Sequence, residues 1–161
     1  MNTVVIRRME KGEEELVCRL VRQVFAEFVA PLYEAQGVEE FERYADPERM
    51  ARRVQSNHIV LAAEAEGALI GAIEARNFNH ISLLFITREW QCRGVARKQL
   101  HEALAIAKAG KPDLLAVEVY SSPNAVEAYK ALGFESVGLE KLEHGIRFIP
   151  MRMRIAGFDD G

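Results

Sequence analysis

The sequence predicts an α/β fold in which one mixed sheet of six or seven strands carries helices on both faces. Short β-branched runs alternate with stretches of helical apolar periodicity over the 161 residues. Turn residues separate neighbouring runs in the middle of the chain, as in hairpins. One strand is followed by a helix and then by another strand, and such a crossover makes that strand pair parallel. The predicted order is β-α-α-β-β-β-α-β-α-β-β.

The first third of the chain is predicted to form one strand and two helices. β-Branched residues at 3–8 favour a strand, and apolar residues recur every four positions from 16 to 28, which gives the first helix an apolar face. Pro31 and Gly37 are expected to break that helix. The dipeptide Asp46–Pro47 starts the second helix, because aspartate caps a helix and proline suits its first position.

The rest of the chain alternates between strands and helices. Glu66–Gly67 is a tight-turn signal between the two strands of a hairpin. The strand at 80–86 is almost wholly apolar, which is typical of a central strand covered on both faces. The later elements are a helix at 46–57, strands at 59–64, 68–76, 80–86 and 114–120, helices at 94–110 and 123–132, a strand from 134 and a last strand at 146–155. Residues 1–156 are predicted to form a single domain and 157–161 a loose tail.

A turn of small residues at 91–96 (Gln-Cys-Arg-Gly-Val-Ala) joins the apolar strand to an alanine- and leucine-rich helix. Backbone N–H groups at a helix start lack an intrahelical partner and lie at the positive end of the helix dipole. Gly94 and Ala96 keep bulky side chains away from these groups, so a phosphate can approach them. The turn therefore predicts a phosphate or pyrophosphate site, although these residues alone also fit an ordinary tight connection.

Composition argues against several classes of function. The net charge of −3 disfavours broad nucleic-acid binding, and no apolar run approaches the roughly 20 residues that cross a bilayer. The N-terminus lacks a signal-peptide pattern, and Cys18 and Cys92 are too few for a disulfide framework. We therefore expect a cytoplasmic protein with reduced thiols. The four histidines are scattered, and we expect no metal site.

The element order and two sequence blocks resemble the GCN5-related N-acetyltransferase (GNAT) superfamily, in particular its small bacterial single-domain members. The acetyl-CoA signature of this family is Gln/Arg-x-x-Gly-x-Gly/Ala, which Gln91, Gly94 and Ala96 fill. A second block pairs a tyrosine with Leu-Gly-Phe, here in the run from Tyr129 to Phe134. Glycine turns are common, so each block alone is weak, but both blocks in order with strands between them make a specific match.

The resemblance implies acetyl transfer from acetyl-CoA, without a metal, to a primary amine of a small molecule or protein. The amine would attack directly in a ternary complex, and Tyr129 would protonate the departing thiolate, because a tyrosine is neutral at pH 7. Turn amides would hold the pyrophosphate, and the strand edge at 84–86 would pair with the pantetheine arm. The cofactor-binding residues implied in this way are Leu84, Phe85, Ile86, Gln91, Cys92, Arg93, Gly94, Val95, Ala96, Arg97, Ser122 and Tyr129.

Two positions leave the mechanism open. Many GNATs carry an asparagine seven residues before the tyrosine, where this chain has Ser122. The general base is also unassigned: Glu118 is the first candidate, because a carboxylate inside an apolar strand needs a partner, and Glu74 or His80 is the second. Glu118 could equally pair with a basic residue across the sheet, and Tyr129 could be a packed aromatic. An inactive acyl-CoA-binding or sensor module therefore stays the alternative function.

Residues 13–57, the first helical region, and the loop near His144 are expected to wall the acceptor site. Dimers are common in the family, so a homodimer is a further expectation. The acidic residues in the wall suit a cationic amine, but they equally fit a solvated surface. They are Glu34, Glu39, Glu40 and Glu42.

Overall fold

A single eight-stranded sheet organises the molecule. The structure is a computed structural model that describes residues 3–155, so the tail predicted at 157–161 lies outside the described residues. The strands are β1 (Val5–Arg8), β2 (His58–Ala65), β3 (Ala68–Arg76), β4 (His80–Ile86), β5 (Ala116–Ser121), β6 (Glu135–Ser136), β7 (Lys141–Glu143) and β8 (Ile146–Arg154). Their order is β1-β2-β3-β4-β5-β8-β6, and β7 pairs with β8. The pair β4–β5 is parallel and its neighbours are antiparallel, so the predicted mixed sheet is confirmed.

Helices cover both faces of this sheet. They are α1 (Glu14–Phe28), α2 (Ala35–Tyr44), α3 (Pro47–Val54), α4 (Val95–Gly110) and α5 (Val126–Leu132). On one face, Val21 of α1 and Met50 of α3 pack with Leu83 of β4. On the other face, Leu100 of α4 packs with Val117 of β5 in a core that α5 completes. Burial of these apolar faces, at about 25 cal/mol per Å², holds the layers together.

Two local predictions from the first half of the chain are confirmed. Asp46 caps α3, since the N–H of Arg49 donates to its Oδ2 at 3.0 Å. The hairpin between β2 and β3 turns at Glu66 and Gly67, whose φ angles are 55° and 77°. A two-residue hairpin turn of type I′ needs positive φ at both central residues, and Glu66 and Gly67 both have it.

The first helix ends at Phe28, before Pro31, as predicted, but Gly37 does not mark a break, because it lies inside α2. A Cβ at this position would overlap the carbonyl group of Gly145, in the turn before β8. The N–H of Glu34 donates to that same carbonyl at 3.1 Å. Glycine is therefore used here for a close approach between helix and turn, which is a tertiary requirement that no local pattern reveals.

The strand predicted from residue 134 is interrupted. Two short strands, β6 and β7, replace it, and residues 137–140 between them have no strand pairing. β6 pairs with the later part of β8 at Arg152 and Met151, whereas β7 pairs with its beginning at Ile146 to Phe148. Because β8 is long, both short strands find partners along its one free edge.

Candidate active site

β4 and β5 separate after a short stretch of pairing, and this separation creates a slot in the middle of the sheet. Their parallel register contains only His80 with Glu118 and Ile81 with Val119. On the other side of β4, the partners in β3 skip Ser82, which is a β-bulge. A bulge bends the strand that carries it. From Ser82 to Ile86, β4 therefore presents an edge without strand partners toward β5, about 16 Å long at about 3.3 Å per residue.

The turn before α4 opens toward this slot. Cys92 and Gly94 have φ angles of 61° and 81°, and alternating left-handed residues gather successive N–H groups into a concave surface that binds anions. Gly94 is the N-cap of α4, and no side chain caps the helix. The first helical bond runs from the N–H of Lys98 to the carbonyl of Gly94. Among the described residues, the N–H groups of Val95 and Ala96 therefore have no acceptor and are available for a phosphate.

The side chains around the turn hold it in place. Nε2 of Gln91 donates to the carbonyl of Ile86 at 3.0 Å, which fixes the turn to the end of β4. Arg93 packs over the ring of Trp90, with its guanidinium carbon 5.2 Å from the ring centroid. Arg97 donates to the carbonyl of Ala131 at 2.6 Å and so connects the start of α4 to the last turn of α5.

A cleft of about 1040 Å³ contains the slot and the turn. Every predicted cofactor-binding residue lines it except Arg93, whose side chain packs on Trp90 instead. Ser122 lines it at the position where the family often has asparagine, and Asn124 lies beside it. The cleft is also lined by residues of α1, of α2 and of the segment between these helices.

Tyr129 presents an unpaired hydroxyl to this cleft. Its side chain is 9% exposed, and its ring packs edge-on against Phe134 with centroids 5.4 Å apart. The hydroxyl makes no hydrogen bond with a described residue. Burial raises the pKa of Tyr129 above its ordinary value of 10.0, and Tyr33 across the cleft raises it further. The phenol is therefore fully protonated at neutral pH and has a proton to donate.

Glu118 does not lie in the buried environment that the sequence predicts. Its side chain is 46% exposed, its Oε1 lies 4.0 Å from a guanidinium nitrogen of Arg152, and it is not among the residues that line the cleft. The expectation of a fully buried strand fails because one face of β5 is left uncovered: Tyr120, the next residue on the same face as Glu118, is exposed as well. The alternative of a cross-strand partner describes the position of Glu118 better, and its role as a base stays a prediction.

Glu74 is fully buried, and both of its carboxylate oxygens make hydrogen bonds with neighbouring side chains. Arg53 donates to both of its oxygens, at 2.8 and 3.0 Å, Nδ1 of His58 lies 2.7 Å from Oε2, and the hydroxyl of Tyr44 donates to Oε2 at 3.2 Å. Burial and the Glu74 charge raise the pKa of Tyr44 to about 12, so this hydroxyl stays a donor. Glu74 thus ties β3 to β2, α2 and α3, and it lies behind the wall of the cleft, not in it.

His80 is the one of the three predicted bases that lines the cleft. Its ring packs edge-on against Tyr120 at a centroid distance of 4.6 Å, at the point where β4 and β5 separate. Burial, and secondarily the charge of Arg76, lower the pKa of His80 to about 4. The imidazole is therefore neutral at pH 7, and the same shift makes it a weaker base than an ordinary histidine.

Comparison with known proteins identifies this arrangement. The sequence matches the model of the acetyltransferase (GNAT) domain over residues 29–155. The chain belongs to the GNAT family. The predicted family and fold are therefore confirmed. No curated protein matches the sequence significantly.

Solved structures of other GNAT proteins share the fold over nearly their whole length. A GCN5-related N-acetyltransferase of Rhodopseudomonas palustris is 18% identical with a TM-score of 0.76, covering 94% of this chain and 96% of that one. The PaiA N-acetyltransferase of Thermoplasma acidophilum, solved with coenzyme A, is 24% identical with a TM-score of 0.76, covering 94% and 99%. The spermidine N-acetyltransferase of Vibrio cholerae, solved with CoA and spermine, is 22% identical with a TM-score of 0.64, covering 95% and 96%.

Part of this GNAT cleft was not predicted residue by residue. Five of the aromatic side chains that line it come from α1, from the segment after it and from α2. The signal for α2 was present, since Val38, Phe41 and Ala45 follow three- and four-residue spacing, which is helical.

Within residues 3–155, no helix is long and apolar enough to span a membrane. The same residues contain no group of three or more His, Cys, Asp or Glu side chains that could hold a metal ion.

Proposed function

We propose that this GNAT protein transfers the acetyl group of acetyl-CoA to a primary amine by direct attack in a ternary complex. The observation that carries the proposal is the continuity of one cleft. It joins the uncapped start of α4, the unpaired edge of β4 and the free hydroxyl of Tyr129. In addition, relatives of the same fold were solved with coenzyme A bound.

Each part of the cleft has a role in the proposed complex. The N–H groups of Gly94, Val95 and Ala96 would bind the pyrophosphate at the positive end of the helix dipole. The free edge of β4 would pair with the amide groups of the pantetheine arm, as an added strand does. One of its N–H groups would also polarise the thioester carbonyl.

The proposed reaction balances with one acid and one base. The lone pair of the amine nitrogen attacks the thioester carbon, and the C–S bond breaks when the tetrahedral intermediate collapses. The departing sulfur takes the proton of Tyr129 and the nitrogen gives one proton to a base. A proton then returns from that base to the Tyr129 oxygen, so one proton passes from amine to CoA overall. We assign the base to His80, because it is the one of the three candidate bases that lines the cleft, while Glu118 stays the candidate from the sequence.

A binding or sensor module is the second candidate function. Ser122, in place of the asparagine that many GNATs carry, is the feature that favours it. Such a module would bind acetyl-CoA in the same cleft but transfer nothing. A cytoplasmic location and a homodimer stay predictions from the sequence and the family.

The Tyr129→Phe variant separates these two candidates. Replacing the hydroxyl removes the proposed acid but keeps the ring that packs against Phe134. We expect kcat to fall about 100-fold, the lower end for a general acid, while the Kd for acetyl-CoA stays within about twofold. Free CoA released with a panel of amines measures the first quantity, and calorimetry measures the second. Full activity in the variant would remove Tyr129 from the mechanism, and acetyl-CoA binding by a wild-type protein that acetylates no amine would favour the sensor.

A further inference from the structure

We infer that the acceptor is a primary amine carried on an aromatic body, and not a polycation. This inference rests on the proposed function, and it concerns the half of the cleft lined by α1, α2 and the segment between these helices. We call this half the acceptor wall and define it as the cleft-lining side chains of residues 24–44 together with Phe85.

Aromatic side chains pack on one another in the acceptor wall: Tyr33, Phe41 and Phe85 are partly exposed, whereas Phe25 is only 2% exposed. Phe25 of α1 stacks on Phe41 of α2, with ring centroids 3.8 Å apart and planes 8° from parallel. Phe41 packs edge-on against Phe85 of β4 at 5.7 Å, and Tyr33 packs edge-on against Phe25 at 5.5 Å. Aromatic rings prefer such stacked and edge-on neighbours, so an aromatic ligand would extend the same packing. The remaining members of the wall are Val24, Phe28, Val29, Glu40 and Tyr44.

The charges in this part of the cleft disfavour a polycation. Glu40 carries the only carboxylate among the described residues that line the cleft. Its Oε1 already accepts a hydrogen bond from Arg43 at 2.6 Å, and its side chain is half exposed. A second carboxylate nearby, that of Glu74, is buried behind the wall, and its oxygens already make hydrogen bonds with Arg53, His58 and Tyr44. A spermidine-like chain would find no free carboxylate for its inner ammonium groups.

A guanidinium without a described partner lies in the same cleft. Arg76 lines the cleft, and its side chain makes no hydrogen bond or ion pair with any of residues 3–155, although its charge lowers the pKa of the neighbouring His80. The two residues face each other across β3 and β4. A second ammonium group near this point would be repelled by the guanidinium, whereas a ring without charge would not. The apolar contacts and the charges of the cleft therefore both favour a primary amine on an aromatic body over a polycation.

The test compares 4-phenylbutylamine with spermidine, which have similar length but differ in ring and charge. We expect kcat/KM for CoA release to be at least tenfold higher with 4-phenylbutylamine. In Phe41→Ala, kcat/KM for the aromatic amine should fall at least tenfold while the Kd for acetyl-CoA is kept. In Arg76→Glu, the ratio of kcat/KM for spermidine to that for the aromatic amine should rise at least fivefold. Arg19→Glu, a charge reversal on the exposed side of α1, is the control and should leave the ratio unchanged.

The outcomes separate the acceptor class from the proposed function. A preference for spermidine, or equal kcat/KM for both amines, overturns the inference while the acetyltransferase stands. If neither amine is acetylated, calorimetry measures the binding of each amine to the protein saturated with CoA. If 4-phenylbutylamine binds more tightly than spermidine and Phe41→Ala abolishes this binding, the aromatic acceptor site stands while the proposed acetyltransferase function fails. If 4-phenylbutylamine does not bind, both the proposed function and the acceptor inference fail.

Discussion

The two halves of the cleft are built in opposite ways. The proposed cofactor half consists of backbone N–H groups from one continuous run, Gln91 to Arg97, and of the unpaired edge of β4. The acceptor half depends on side chains from α1, α2 and β4, which are far apart in the sequence. Backbone groups recognise a ligand that never changes, such as a pyrophosphate, whereas side chains can vary without disturbing the fold. The difference explains why one half carries a family motif and the other does not.

The most damaging change to the cofactor half alone is Gly94→Glu. The new carboxylate would repel the pyrophosphate at the helix start, and we expect the affinity for acetyl-CoA to fall at least ~100-fold, or about 2.7 kcal/mol. Gly67→Glu is a matched control, because Gly67 also has positive φ, and a Cβ at either glycine would meet nothing within 4 Å. Both variants carry the same backbone strain, so calorimetry and thermal unfolding together isolate the charge. Equal acetyl-CoA affinity in the two variants would remove the turn from the site.

The next largest effect concerns the acceptor half and its neutral His80. The unfolded chain binds a proton at this histidine near pH 6.5, and the folded protein binds it only near pH 4. Between these values the unfolded state holds more protons, so the free energy of unfolding falls as the pH is lowered. From pH 7 to pH 4.5 this loss amounts to about 2 to 3 kcal/mol for a shift of this size.

Urea denaturation of wild type and His80→Gln at both pH values measures that loss. The variant cannot bind the proton, so its stability should decline less on acidification than that of the wild type. Because all other titrating groups are shared, the difference between the two proteins reports on His80 alone. Parallel declines would mean that the imidazole is not buried as a neutral group.

The smallest effect is expected where the cofactor half meets the helix that carries the proposed acid. Arg97 donates to the carbonyl of Ala131, two residues after Tyr129. In Arg97→Met we expect kcat to fall roughly threefold to tenfold, because a hydrogen bond of about 1 kcal/mol that positions α5 is lost. Lys98→Met on the next position of α4 is the control, since Lys98 does not line the cleft. Steady-state rates at saturating acetyl-CoA measure both, and equal rates in the two variants would show that Arg97 does not position α5.

Local sequence signals determined most of the fold and the turn on which the proposed cofactor half depends. The Glu66–Gly67 turn, the Asp46 cap and the turn at Gly94 were readable because each depends on the conformation of a few adjacent residues. The run from Tyr129 to Phe134 indicated the family together with the block at 91–96, and both are local for the same reason. Signals of this kind are complete within one stretch of chain.

Only the tertiary structure decided the rest. Gly37 read as a breaker until its close approach to Gly145 was visible, and Glu118 read as buried until one face of β5 proved uncovered. Glu74 and His80 looked equivalent in sequence, yet one is enclosed by Arg53 and its neighbours and the other faces the cleft. Burial and charge pairing depend on which distant segments pack together, and that information is absent from any single stretch of the chain.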